Sequence, residues 1–274
     1  MKISLFYIDA FTSDVFKGNT AAVCLLESWL PDEVLKSIAS EHNLSETAFV
    51  VKDDKDVFQL KWFTPKMEVD LCGHATLAAA HVLFNIYNFT GKGIQFRTKS
   101  GMLPVEHDDD GKIIMDFPTF QVNPYEPSAI LKEGLGKEFA EVHKSRDLLV
   151  VFKNEKDIEE LKPDFAKLQM LDCLGIIATA PGKNSDYVLR FFAPGAGINE
   201  DPVTGSAQST LVPYWSKRLK KNTLFARQLS DRGGEIWCQL KGDRVIISGN
   251  AITYMQGTIN ISIRPQSTLV PFNY

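Results

Sequence analysis

The feature that most constrains this chain is a repeat. "KWFTP" at residues 61–65 and "RFFAP" at 190–194 share the order basic, aromatic, Phe, small, Pro. Gly73-His74-Ala75 begins ten residues after Phe63, and Gly205-Ser206-Ala207 thirteen after Phe192. The next matched glycines, Gly101 and Gly234, follow at 28 and 29 residues. Each leads into a strand-like run, a turn ("DDDGK" or "KGDR") and a second apolar strand ("IIMDF" or "VIIS"). Upstream of each Phe motif stand a Pro-Asp helix start ("LPDEVLKSIA", "LKPDFAKLQM") and an apolar strand ("TAFVV", "GIIAT"). Ordered matches at near-constant spacing point to a duplicated unit. The chain is therefore predicted to form two similar halves. They divide near residues 118–130, where "DFPTFQVNPYEPSA" carries three prolines and reads as a linker. The expected domains are 1–118 and 119–274, with the final "TLVPFNY" crossing back onto the first.

Each half alternates β-branched and aromatic strands with helices. "VDLCGHATLAAA" (69–80) is almost wholly small and apolar after its first turn, the composition of a helix buried on all sides. Its expected place is inside a curved sheet. The predicted class is thus α/β (α+β): two pseudo-symmetric domains, each a mostly antiparallel sheet around a central hydrophobic helix, with a ligand cleft where they meet. A helix start leaves its first N–H groups unpaired and carries partial positive charge. Glycine there admits a ligand close to the backbone. Two such starts, at Gly73 and Gly205, would hold an anion such as a carboxylate. Glycine equally serves a tight strand-to-helix turn.

Several classes are excluded. Lys plus Arg is 30 and Asp plus Glu 34, a formal net charge of −4, which argues against nucleic acid or a membrane surface as partner. No apolar run approaches a membrane span, and "MKISLFYIDAF" alternates like a strand and lacks the form of a signal peptide. Cys24, Cys72, Cys173 and Cys238 have no CxxC spacing and read as reduced thiols of a cytoplasmic protein. His42, His81, His107 and His143 show no metal-ligand spacing. "GAGINE" (195–200) lacks the third glycine of a dinucleotide fingerprint.

Four segments carry a resemblance: "DAFTSDVFKGNTAAV" (9–23), "NLSETAFV" (43–50), "FTPKMEVDLCGHATLA" (63–78) and "NEDPVTGSA" (199–207). Together, and nearly end to end, the chain resembles the phenazine-biosynthesis isomerase (PhzF-like) family of the diaminopimelate-epimerase fold group. The resemblance implies a homodimer without metal or organic cofactor, acting on a small carboxylate-bearing molecule. It implies Glu46 as the catalytic acid/base, with His74 and Asp201 orienting substrate or relaying protons. Gly18, Asn19, Ser45, Gly73, Gly205 and Ser206 are the implied substrate-binding residues. Two departures stand out. Thr20 replaces a usual Pro, and "RQLSDRGG" (227–234) keeps Gln228, Arg232 and Gly233 but has Leu229 where the family has Gly.

Moving a proton on carbon needs an acid/base whose pKa is brought toward neutrality. Glu46 precedes an apolar strand, and partial burial there would raise its pKa. Cys72 reads as a small core residue. Its counterpart turn, at Asp201-Pro202, has no cysteine, which disfavours a two-thiol racemase. An amino- or hydroxy-acid racemase or epimerase of this fold, and a non-catalytic binding homologue, are the alternative functions.

Overall fold

The computed structural model describes residues 1–87 and 89–262. The first half runs β1 (Lys2–Ala10), β2 (Asn19–Leu26), α1 (Asp32–His42), β3 (Thr47–Lys52), β4 (Val57–Phe63), β5 (Glu68–Val69), α2 (Gly73–His81), β6 (Gly93–Thr98), β7 (Gly101–His107) and β8 (Ile113–Pro118). The rest runs β9 (Asn123–Pro124), α3 (Ala129–Leu135), β10 (Glu141–Lys144), β11 (Leu148–Val151), α4 (Glu155–Glu159), α5 (Phe165–Leu168), β12 (Ile176–Pro181), β13 (Tyr187–Ala193), β14 (Ile198–Asp201), α6 (Gln208–Leu219), β15 (Thr223–Gln228), β16 (Gly234–Lys241), β17 (Arg244–Gly249) and β18 (Ala251–Asn260).

The repeat in the sequence is a repeat in strand pairing. Neighbours β1-β2-β3-β4-β6-β7-β8 are in turn antiparallel, parallel, antiparallel, parallel, antiparallel and antiparallel. Neighbours β10-β11-β12-β13-β15-β16-β17 follow the same series. The two series join where β8 pairs antiparallel with β17. Register also matches: Thr47 pairs with Phe63 as Ile176 pairs with Phe192, so the two Phe motifs occupy equivalent places. β18 returns from the second half and pairs along its length with β1. The "TLVPFNY" tail lies outside the described residues.

Burial explains which segment takes which layer. β3 is buried on both faces from Thr47 to Val51 because α1 covers one side and α2 the other. α1 turns Leu35, Ile38 and Ala39 onto the outer face beside Phe49 and Phe63, with Asp32 and Glu33 in its first turn opposite the positive end of the dipole. α3, α4 and α5 cover the matching face of the second half. α2 has no exposed face: Gly73 to Ala80 are all buried. α6 is buried through Val212 and again at Trp215, whose indole stacks on Tyr187 with centroids 5.7 Å apart. Residues of α2 and α6, including Leu77 and Leu211, share one core with Phe11, Phe117 and Ile247.

The helix expected at Gly205 begins at Gln208. Gly205 to Ala207 instead form a tight lead-in turn, with Gln208 N donating to Gly205 O at 3.1 Å and Ser209 N to Ser206 O at 3.3 Å. No helix among the described residues is long and apolar enough to cross a membrane.

Candidate active site

The opening of α2 meets the turn that leads into α6. A Cβ built on Gly73 would lie 3.6 Å from Gly205 Cα and 3.9 Å from Ser206 N. Around this point the fold gathers residues from distant parts of the chain. Asn43 ends α1 in a left-handed conformation, φ 50°, and the chain turns through Ser45 and Glu46 into β3. Glu46 is 13% exposed, and its Oε2 lies 3.2 Å from Nε2 of His74 on the first turn of α2. The approach is close but not collinear, and His74 Nε2 has no well-aligned hydrogen-bond partner among the described residues.

The other ring nitrogen decides the tautomer. Nδ1 faces the amide of Asn19 at 3.3 Å and the thiol of Cys72 at 3.5 Å. The Asn19 amide nitrogen cannot accept, and Nε2 faces the Glu46 carboxyl, so the tautomer that suits both sides carries its proton on Nε2. Asn19 also donates to Asp201 Oδ1 at 2.8 Å and to Val203 O at 3.0 Å. Asp201 Oδ2 accepts from Thr204 Oγ1 at 2.5 Å. Both Asp201 oxygens are thus engaged. Gln228, 1% exposed, holds the same turn: it accepts from Thr204 N at 2.8 Å and donates to Asp201 O at 2.7 Å.

Burial sets the electrostatics. It pushes Glu46 up to about 7; the nearby Asp201 charge adds to this, and a hydrogen bond with Cys72 partly offsets it. Burial likewise raises Asp201 to about 6 against the pull of Thr204 and Asn19. It lowers His74 to about 4. His74 is therefore neutral at pH 7, and its contact with Glu46 is an imidazole N–H beside a carboxyl rather than an ion pair. Ligand-type atoms of Glu46, Cys72 and His74 lie within 4.8 Å of one another, close enough for a metal. Burial raises the Cys72 thiol well above its usual range, which opposes thiolate ligation.

The remaining sequence-named residues are placed as follows. Ser206 Oγ accepts from Arg146 Nη2 at 3.2 Å. Ser45 is half-buried beside Glu46. Gly18 has φ +66°, and a Cβ there would fall 2.2 Å from Ala10 O, so the backbone demands glycine. It lies at a crossing between halves: Gly18 N donates to Gly233 O at 2.9 Å and Gly18 O accepts from Arg232 Nε at 2.7 Å. Arg232 also reaches buried Asp9 at 2.8 Å and Thr20 Oγ1 at 2.9 Å. Thr20 closes this clamp with a hydroxyl donated to Asp9. Leu229 packs against the core of the second half. A cavity of about 480 Å³ lies between the 11–17 loop and residues 227–235; Glu46, His74, Asp201 and Ser206 do not line it.

Sequence reading named Gln228 only as a residue kept in the 227–234 segment and passed over Thr204 and Arg146, whose contacts with Asp201 and Ser206 depend on the fold.

A family model described as phenazine biosynthesis-like protein (PhzC–PhzF) matches residues 8–257. A Pseudomonas aeruginosa protein named as an uncharacterized isomerase is 47% identical over 263 residues, covering 96% of this chain and 100% of its own. The crystal structure of a PhzF-family protein from Enterococcus faecalis superposes with a TM-score of 0.93 at 45% identity, over 95% of this chain and 100% of that one. A predicted epimerase from P. aeruginosa shares the fold, with a TM-score of 0.73 at 18% identity over 95% of this chain and 100% of that chain. With a match spanning nearly its whole length, the chain belongs to the phenazine biosynthesis-like PhzC–PhzF family.

Proposed function

We propose that this protein is an isomerase that moves a proton between carbons of a small carboxylate-bearing substrate, with Glu46 as the general acid/base. The observation that carries this reading is a buried carboxyl poised at about 7 beside the junction of two helix openings. Ionised Glu46 takes a proton from one carbon, the electron pair shifts along the adjacent unsaturated system, and the protonated glutamic acid returns the proton to another carbon. No electron is gained or lost. Neutral His74 sets its Nε2 beside the carboxyl at 3.2 Å. Asp201, with both oxygens held, fixes Asn19 and raises the proton affinity of Glu46 by its nearby charge. Free N–H groups at the Gly73 and Gly205 openings, with Ser206, receive the substrate carboxylate.

Relatives named as isomerases support the reaction class. The register favours one shuttle over a pair of opposed thiols: Thr204 precedes Gly205 where Cys72 precedes Gly73. The free thiols fit a reducing, cytoplasmic setting, and the family resemblance adds a homodimer, which light scattering at working concentration tests.

The decisive experiment begins with a thermal-shift screen of small carboxylates; a ligand at a hundred times its Kd adds about 2.7 kcal/mol. Hits are then incubated in deuterated water. The wild type is expected to give an isomeric product, labelled at the carbon that gains the proton wherever Glu46 exchanges with solvent before returning it. Glu46→Gln is expected to bind comparably and turn over about a hundredfold to ten-thousandfold more slowly. Wild-type turnover by that variant would end the assignment.

A further inference from the structure

We propose that Arg146 selects substrates carrying a second acidic group, at the end remote from the reacting carbon. The proposal rests on the carboxylate-isomerase reading above and names the substrate class within it.

Arg146 lies in the turn between β10 and β11. Its position follows from register. Leu148 pairs with Ile176 as Ala22 pairs with Thr47, so Arg146 stands in the second half where Thr20 stands in the first. The neighbour of Thr20 is Asn19, which reaches His74 and Asp201. The fold therefore brings the Arg146 turn to the same cleft from the opposite half. Contacts agree: Arg146 Nη2 donates to Ser206 Oγ at 3.2 Å, and Ser206 N lies 3.9 Å from a Cβ built on Gly73.

The guanidinium is held on three sides. Nε and Nη2 donate to Asp147 Oδ2 at 3.1 and 2.7 Å. The group lies 5.8 Å from the centroid of Phe120. Ser206 takes the remaining Nη2 proton. Nη1 is left with no acceptor among the described residues, on a side chain 35% exposed. A planar cation already fixed in place loses little freedom on binding an oxyanion, which is what a carboxylate-recognition group requires. An ordinary surface ion pair has two mobile, solvated partners. Here Asp147 is 1% exposed and its Oδ1 has no hydrogen-bond partner among the described residues, so a buried acid serves as the anchor of an accessible base.

Removing Arg146 alone would strand that buried carboxylate and endanger the fold. The test therefore uses Arg146→Lys and the double variant Arg146→Gln/Asp147→Asn, which removes both charges together. Calorimetry at fixed ionic strength compares succinate, glutarate and adipate with butyrate, valerate and hexanoate. Members of each pair have equal chain length and differ by one carboxylate. For at least one length the wild type is expected to bind the diacid about tenfold or more tighter than the monoacid. Arg146→Lys should keep part of that preference. The double variant should lose it, the affinities for diacid and monoacid of equal length converging. Equal binding of diacids and monoacids by the wild type, or a preference that survives in the double variant, overturns the role of Arg146 and leaves the helix-opening site standing. Binding of none of the six by the wild type overturns both.

Discussion

At the scale of the residue, Glu46 is an expensive group to place where it is. Its pKa is raised from 4.5 to about 7, mainly by burial. A carboxyl raised in this way leaves the fold unpenalised near pH 4, where it is protonated both folded and unfolded. Stability falls as pH rises through the folded value, by about 3 kcal/mol at pH 8. Glu46→Gln should therefore melt higher than the wild type at pH 8 and at the same temperature near pH 4, by scanning calorimetry. A variant less stable at pH 8 would show that the carboxylate is well solvated or well paired. His74 has the opposite sign: lowered from 6.5 to about 4, it favours the folded state at high pH and withdraws that support as pH falls toward 4. As a base, Glu46 must be ionised, so kcat/KM should rise with pH to a plateau above about 7. The identity of Glu46 as a candidate was legible through the family resemblance. Its environment was not. It depends on Cys72 and Asp201, and the His74 tautomer depends on Asn19, residues that only the folded chain brings within hydrogen-bond reach.

At the scale of the element, the two central helices were legible because nearly every α2 side chain is small and apolar, leaving no polar face to put in water. The start of α6 was misplaced by three residues because a tight turn and a helix carry the same sequence signal at Gly205. Gly73 now permits a separation of roles. Its φ is not in the left-handed range, and an added Cβ would make ordinary contacts at 3.6 Å with Gly205 Cα and Phe117 Cζ. The methyl group would nonetheless stand in the gap between the two openings. Gly73→Ala should leave the melting temperature unchanged or raise it slightly, since Ala is the better helix former by up to about 1 kcal/mol. Carboxylate binding, followed by calorimetry, should fall about tenfold or more. Undiminished binding would place the anion elsewhere. Gly18→Ala should behave in the reverse sense and destabilise strongly, because the positive φ and the 2.2 Å approach to Ala10 O concern the backbone alone.

At the scale of the whole molecule, the halves share one core and are tied by Arg232, by the β8–β17 pairing and by β18 on β1. Unfolding should follow as one event. Trp29 and Trp62 report from the first half and Trp215 and Trp237 from the second, so urea curves by tryptophan emission and by circular dichroism should coincide. Two separated midpoints would show halves that melt apart. The duplication was legible as ordered motifs, and strand pairing repeats it step for step. The β18 crossover was not, because an alternating strand does not say which edge it will join. The copies have diverged where it matters. The register that aligns Thr47 with Ile176 sets Glu46 opposite Gly175, and the aligned glycines set His74 opposite Ser206. A flat, prochiral carbon lying between the halves would meet the glutamic acid on one side and no equivalent acid on the other, where the side-chain direction of Gly175 is taken by the Phe191 ring. Delivery from a single face makes the new stereocentre, where one forms, of one hand, and product made in deuterated water should prove enantiomerically pure.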